Sequence, residues 1–188
     1  LYRASSFPDA WMLVSIPLEG ISAVDSIIFE CSGRWWLLTS IDSSGSGAHG
    51  SETHLYFSNC LESNQWTPHP KNPVVSEASR GRNAGLIAEG GRLFRVFQEP
   101  GFGTYGRSVG VSEIKQITAT SYMETAPVWR SNSGNTLIPR IHTVSVAEGL
   151  VAIDLWQRRA WPGNFFSNTA SHNSLEPKGR LFSQSSIK

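Results

Sequence analysis

The residues best placed to do chemistry are spread along the chain but share one phase. Gly33, Gly91 and Gly149 stand 58 residues apart, and Asp25, Asn83 and Ile141 each lie eight residues before one of them. Arg82 and His142 sit beside the second and third of these positions. If each glycine marks the same turn, then Asp25, Arg82, Asn83 and His142 converge on one polar site. A carboxylate beside a guanidinium gives directional, charge-assisted hydrogen bonds suited to sugar hydroxyls or a phosphate. Asp25 is the candidate catalytic carboxylate, and Arg82, Asn83 and His142 are candidate substrate contacts. His142 has the side chain that exchanges a proton near neutral pH. The alternatives stay open: Asp25 and Arg82 could be an ion pair tying two repeats, and His142 a structural histidine bonded to backbone. Gln98 and Tyr105 extend the candidate set, because they flank the glycine-rich run Pro100 to Gly106. Such a run lets a backbone approach a ligand closely, or it simply joins two strands tightly. Phe102 and Tyr105 could stack on a sugar ring or cover strand edges.

Several chemistries are disfavoured. Glycoside hydrolysis requires two carboxylates about 5–9.5 Å apart. The other acids near expected strand ends are Glu77, Glu99 and Asp154. Glu77 reads as exposed, Asp154 as a partner for an arginine such as Arg158, and no pair with Asp25 emerges. His49, His54, His69, His142 and His172 show no metal-ligand spacing, so no metal is expected. The glycine-rich run lacks a βαβ unit around it, which argues against a nucleotide, and no cofactor is expected. A Gly-x-Ser-x-Gly elbow is missing as well.

The elements that must position these residues are strands. Short β-branched and aromatic runs recur at Trp11–Ile16, Ser26–Glu30, Trp35–Thr39, Thr53–Ser58, Leu86–Ala88, Leu93–Gln98, Ser108–Val111, Thr143–Val146 and Leu150–Leu155. Gly, Pro, Asn and Ser clusters bound them. The one stretch with a helical look, Val111 to Ile117, is short and β-branched. Around each repeat glycine the pattern is strand, polar turn, apolar strand. Glycine suits the turn because it takes positive φ without a Cβ clash. A 58-residue period fits one four-stranded propeller blade, each repeat giving its inner hairpin first. The fold class is therefore all-β, a partial five-bladed β-propeller of about three blades over residues 1–163, with a weakly patterned tail over 164–188. Trp35 and Trp36 face opposite sides of their strand, one toward each neighbouring blade. Asp42 to Ser51, rich in Ser and Gly, reads as a mobile loop, and His54 after it as solvent-facing.

Composition narrows the partners. The chain has 188 residues, 16% of them charged, with a formal net charge of +1. That balance disfavours a nucleic-acid partner, whose phosphates call for a basic excess. No apolar run reaches the ~18 residues of a membrane span. Cys31 and Cys60 could form one bridge or two free thiols, which leaves the compartment open. The chain opens on Leu1 with no charged-then-apolar leader, which leans toward the cytoplasm and suggests either a processed chain or a piece of something longer.

An ordered set of short motifs carries a resemblance. Leu1-Tyr2-Arg3-Ala4, Phe7-Pro8, Trp11, Val24-Asp25-Ser26 and Trp35-Trp36-Leu37-Leu38 open it. Trp66 to Val74, Arg82 to Gly85, Leu93 to Gln98, Tyr105-Gly106, Tyr122-Met123-Glu124, Ile141-His142-Thr143 and Ile153-Asp154 continue it. Together they are similar to the propeller domain of glucosamine inositolphosphorylceramide transferases, over about residues 1 to 156. The resemblance implies kinship with five-bladed propellers of the glycoside hydrolase family 43 kind, and a role in carbohydrate or glycolipid processing. It also implies two further repeats before Leu1, which hold the acidic strands that carry catalytic carboxylates in the hydrolase relatives, and a transferase activity housed in a separate domain. The expected function is a sugar-binding or accessory domain with a carbohydrate or glycolipid ligand. One alternative is a glycosidase or glycan transferase completed by missing blades or a partner, and another a non-catalytic assembly module. Open blade edges predict self-association, most simply a two-fold dimer.

Overall fold

The computed structural model describes residues 1–47, 49–101, 104–131, 140–147 and 149–156. The chain divides after Gln157 into two units, and the described residues all belong to the first. The expected boundary at residue 163 and the tail 164–188 lie outside the described residues.

No helix occurs among the described residues; every regular element is a strand, and every pairing is antiparallel. An N-terminal hairpin comprises β1 (Tyr2–Ser6) and β2 (Ala10–Leu13). The first large sheet follows: β3 (Ala23–Cys31), β4 (Arg34–Ile41) and β5 (Glu52–Ser58), with β6 (Thr67–Pro68) and β7 (Val75–Ser76) both laid along β5. The second repeats that plan: β8 (Arg82–Glu89), β9 (Arg92–Gly101) and β10 (Thr104–Ile117), with β11 (Tyr122–Glu124) and β12 (Trp129–Arg130) both along β10. A third hairpin comprises β13 (Arg140–Ala147) and β14 (Leu150–Trp156). Val111 to Ile117 is strand, as its β-branched residues favour. β2 stops at Leu13, short of the expected Ile16, because the Val14 and Ser15 amides turn to the Leu1 carbonyl.

The 58-residue period appears as repeated geometry. The three hairpins close on the same register, Cys31 opposite Arg34, Glu89 opposite Arg92 and Ala147 opposite Leu150. Ser32 and Gly33 have φ of 54° and 70°, Gly90 and Gly91 have 56° and 73°, and Gly149 has 77°. Positive φ at both turn residues gives the tight two-residue turn whose twist matches its strands. Each hairpin also carries a bulge near its start. Asp25 and Ser26 face Thr39, Ala84 is extra between Asn83 and Gly85, and His142 is extra between Ile141 and Thr143. A bulge bends the strand and re-aims its side chains.

The sheets pack in series. Trp36, Leu38, Leu55 and Phe29 of the first meet Ile114 of the second, with Leu86, Leu93 and Tyr122 packed around them. The far side of the first sheet holds Leu37, Tyr56 and Trp66, flanked by Trp35. Trp35 and Trp36 thus serve opposite faces, as alternation requires. On the far side of the second sheet, Ala84, Val96 and Val109 pack with Ile141 and Val144 of β13.

The segment between β6 and β7 is held by side chains. Asn72 accepts from the Leu55 amide at 2.8 Å and donates to the Leu55 carbonyl at 2.9 Å, standing in for a strand neighbour. The Ser/Gly stretch after β4 is knitted around Asp42, whose carboxylate accepts from the Ser44 and Gly47 amides. These bonds hold the Asp42 carboxylate below its ordinary range, the Ser44 hydroxyl contributing most. His54 is half-buried rather than solvent-facing, because its ring bonds Glu52 at 3.1 Å.

Candidate functional site

The bulge of β3 and the start of β8 meet at the seam between the two large sheets. Gly81 makes the approach possible: a Cβ there would collide with the backbone of Ser51 and Glu52. Its carbonyl accepts from the Ser40 hydroxyl at 3.2 Å and the Thr53 hydroxyl at 2.9 Å, both from the first sheet. The next two residues are thereby aimed at Asp25.

Arg82 Nε donates to Asp25 Oδ2 at 2.6 Å, and Gln98 Nε2 donates to the same oxygen at 3.4 Å. The described bonds all run to Oδ2, and Oδ1 takes none of them. The pair is partly open, with 22% of the Arg82 and 18% of the Asp25 side chain exposed. Asp25 has φ of 52°, in the left-handed region. Aspartate tolerates this better than most residues, and such outliers cluster at functional sites.

Asn83 is fully buried, and each of its four polar groups makes a hydrogen bond. Its amide N–H donates to Ser40 Oγ at 3.1 Å, and its Nδ2 donates to the Asp25 carbonyl at 3.3 Å. Its own carbonyl accepts from Gln98 Nε2 at 2.9 Å, and its Oδ1 accepts from Arg95 at 3.3 Å. Arg95 is completely buried. It grips both oxygens of Glu124, at 2.8 and 2.6 Å, and donates to the Arg80 carbonyl at 3.0 Å. Burial opposes charge on both partners. The paired hydrogen bonds overcome it, holding Arg95 above and Glu124 below their ordinary values. Tyr122 donates to Glu124 Oε2 at 2.7 Å, and its hydroxyl is pushed up, by burial first and then by the carboxylate.

Four of the six residues expected from sequence therefore come together: Asp25, Arg82, Asn83 and Gln98. His142 occupies the bulge of β13, where its described partner is Asp154, with Nδ1 3.4 Å from Oδ2 across the hairpin. The arginine expected to pair with Asp154, Arg158, lies outside the described residues, as does Phe102. Tyr105 lies in β10, and its side chain is outside the described residues too. Glu77 is exposed and bonds Arg80 at 2.9 Å. Glu99 bonds Arg130 and Ser108. Among the described residues no group of three His, Cys, Asp or Glu could hold a metal ion, and no helix is long and apolar enough to cross a membrane.

The sequence reading did not name Arg95, Glu124, Ser40, Thr53 or Gly81 as site residues. Arg95 did leave a signal, as a lone charge between Phe94 and Val96 inside an apolar strand. Glu124 stood only within the motif Tyr122-Met123-Glu124, which gives its carboxylate no role.

Residues 1–135 match the family model described as glucosamine inositolphosphorylceramide transferase 1, N-terminal. The protein named glucosamine inositolphosphorylceramide transferase 1 from Oryza sativa subsp. japonica is 34% identical over 127 residues, which are 66% of this chain and 17% of the relative. Its counterpart from Arabidopsis thaliana is 36% identical over 129 residues, 66% of this chain and 16% of the relative. The chain thus spans less than a fifth of the length of these relatives. No solved structure matches the chain. With well over half its length covered by the family model, the chain belongs to the family of the N-terminal domain of glucosamine inositolphosphorylceramide transferase 1.

Proposed function

We propose that this chain is a sugar-binding or accessory domain of glycolipid processing, built as about three blades of a five-bladed propeller related to the glycoside hydrolase family 43 kind. Repeated hairpins, repeated bulges and sheets packed in series support the propeller reading. Its ligand is a carbohydrate or the polar head of a glycolipid, as the name of the relatives suggests. Asp25 and Arg82 contact that ligand, Asn83 and Gln98 hold them, and His142 and Tyr105 are outer members of the site. The observation that carries the reading is the half-open Asp25–Arg82 pair. Among the described bonds one carboxylate oxygen is held by Arg82 and Gln98 and the other takes none, which suits it to accept a hydroxyl. The two-stranded sheet of β13 and β14 and the exposed Tyr2, Phe7 and Trp11 of the first hairpin support self-association as a dimer.

The test is a glycan array that includes inositol phosphates, read with the wild type, Asp25→Ala and Arg82→Ala. A hydrogen bond to a charged group is worth about 1.5–3 kcal/mol, and about 1.4 kcal/mol is tenfold in affinity. Each substitution is expected to weaken binding roughly tenfold or more without unfolding the sheets. A wild type that binds nothing, or variants that bind as well as it does, overturns the reading.

A further inference from the structure

We propose that Arg95 and Glu124 are positioning residues for Asp25, acting through the side chain of Asn83; the proposal rests on the reading of Asp25 as the ligand-contacting group. The Asn83 amide can sit in two orientations that differ only by exchange of its oxygen and nitrogen. Arg95 removes the choice. As a donor without acceptor capacity, it requires Oδ1 on its side, 3.3 Å away, and so turns Nδ2 toward the Asp25 carbonyl. That bond falls on the residue that holds φ of 52° in the β3 bulge. Arg95 is itself fixed by the two-point grip of Glu124, which is 4% exposed, and by the Arg80 carbonyl. Glu124 is fixed in turn by Tyr122. A chain of directional bonds thus runs from β11 through β9 and β8 to the bulge of β3. Each link is buried or nearly so, where a hydrogen bond is strong and a missing one costly. The Gln98 side chain adds a second tie, from the Asn83 carbonyl to Asp25 Oδ2.

Asn83→Asp tests the central link, because it keeps size and shape. An aspartate still accepts from Arg95, but at neutral pH it cannot donate to the Asp25 carbonyl. The readout is the backbone amide spectrum of the ligand-free full chain, with thermal melting as a control. The expected result is a near-native spectrum for β5 and β10 together with shifted or broadened amide resonances at Asp25 and Ser26. Unchanged resonances at Asp25 and Ser26 overturn the proposal. The double variant Arg95→Met with Glu124→Leu guards against loss of folding in the first, since a buried ion pair exchanged for apolar residues of similar volume often leaves the fold stable. It releases Asn83 Oδ1, and the same two residues are expected to report it; silence there overturns the proposal equally. Binding on the glycan array is a separate arm, expected to fall at least tenfold in both variants. A wild type that binds no glycan removes the ligand reading, while the spectra still decide whether Arg95 and Glu124 position Asp25.

Discussion

The second sheet has two packed faces, and they are held in different ways. Toward the first sheet, apolar packing around Trp36 and Ile114 is joined by directional bonds that cross the seam. These include Arg82 to Asp25, Asn83 to Ser40 and to the Asp25 carbonyl, and the buried His69 to the Thr118 carbonyl. Toward the third hairpin the described contact is apolar: Ala84, Val96 and Val109 against Ile141 and Val144. Apolar packing brings two surfaces together and tolerates small slips. Hydrogen bonds fix which atom faces which, and in a buried seam they are expensive to lose. The half-open carboxylate lies on the directional seam, so the place where geometry is most tightly specified is also the place where a ligand would read it.

The sharpest way to break this contrast is Glu124→Ala. It leaves the wholly buried Arg95 guanidinium without its carboxylate, and removing one partner of a buried pair costs about 3–5 kcal/mol. Chemical denaturation should show a loss of that size. A loss below about 1 kcal/mol would mean that the directional face is no better anchored than a surface ion pair.

Gly85→Ala attacks the apolar face instead. A Cβ at Gly85 would run into the Val144 carbonyl, so β8 and β13 could no longer approach as they do. Overpacking of this kind costs about 1–3 kcal/mol. The loss should be local. Amide hydrogen exchange is expected to accelerate in β13 and β14, while β3, β4 and β5 keep their protection. Equal acceleration in the first sheet would show that the two faces open as one unit.

Legibility in the sequence divides along the same line. The hairpins could be read because a tight turn of this kind needs positive φ, and Gly33, Gly91 and Gly149 supply it in step. Asp25, Arg82 and Asn83 could be brought together from sequence because Asp25 and Asn83 keep the same phase and Arg82 sits beside Asn83. The bulges could not be read, since an extra residue is defined by the partner strand and leaves no mark of its own. Several strands proved longer than expected for a related reason: polar residues such as Ser40 and Asn83 continue them while being buried at the seam. Arg95 could have been flagged as a charge in an apolar run. Its partner Glu124 stands 29 residues away, and nothing local points to it. Propensity and period report what each strand buries, whereas the cross-seam bonds depend on which sheets face each other.

The smallest effect expected is in pH dependence, and it isolates the seam again. His69 is buried, its Nε2 donates to the Thr118 carbonyl at 3.1 Å, and its Nδ1 accepts from the Lys71 amide at 3.2 Å. Burial pushes its pKa below the ordinary 6.5, the Thr118 carbonyl opposes that, and the Lys71 charge adds to it. The unfolded chain therefore binds the proton more readily, and stability falls as pH drops below 6.5, with a slope of at most about 1.4 kcal/mol per pH unit. Glu113, a buried residue of β10, marks a separate window. Arg92 and Lys115 hold its carboxyl down at about 2, so its contribution is complete above its ordinary 4.5 and is lost as pH falls toward 2. Denaturation midpoints followed from pH 7.5 to pH 5 should slope for the wild type and flatten for His69→Gln, whose amide can keep one seam bond without titrating. An equal slope in both proteins would remove His69 from the seam's pH response.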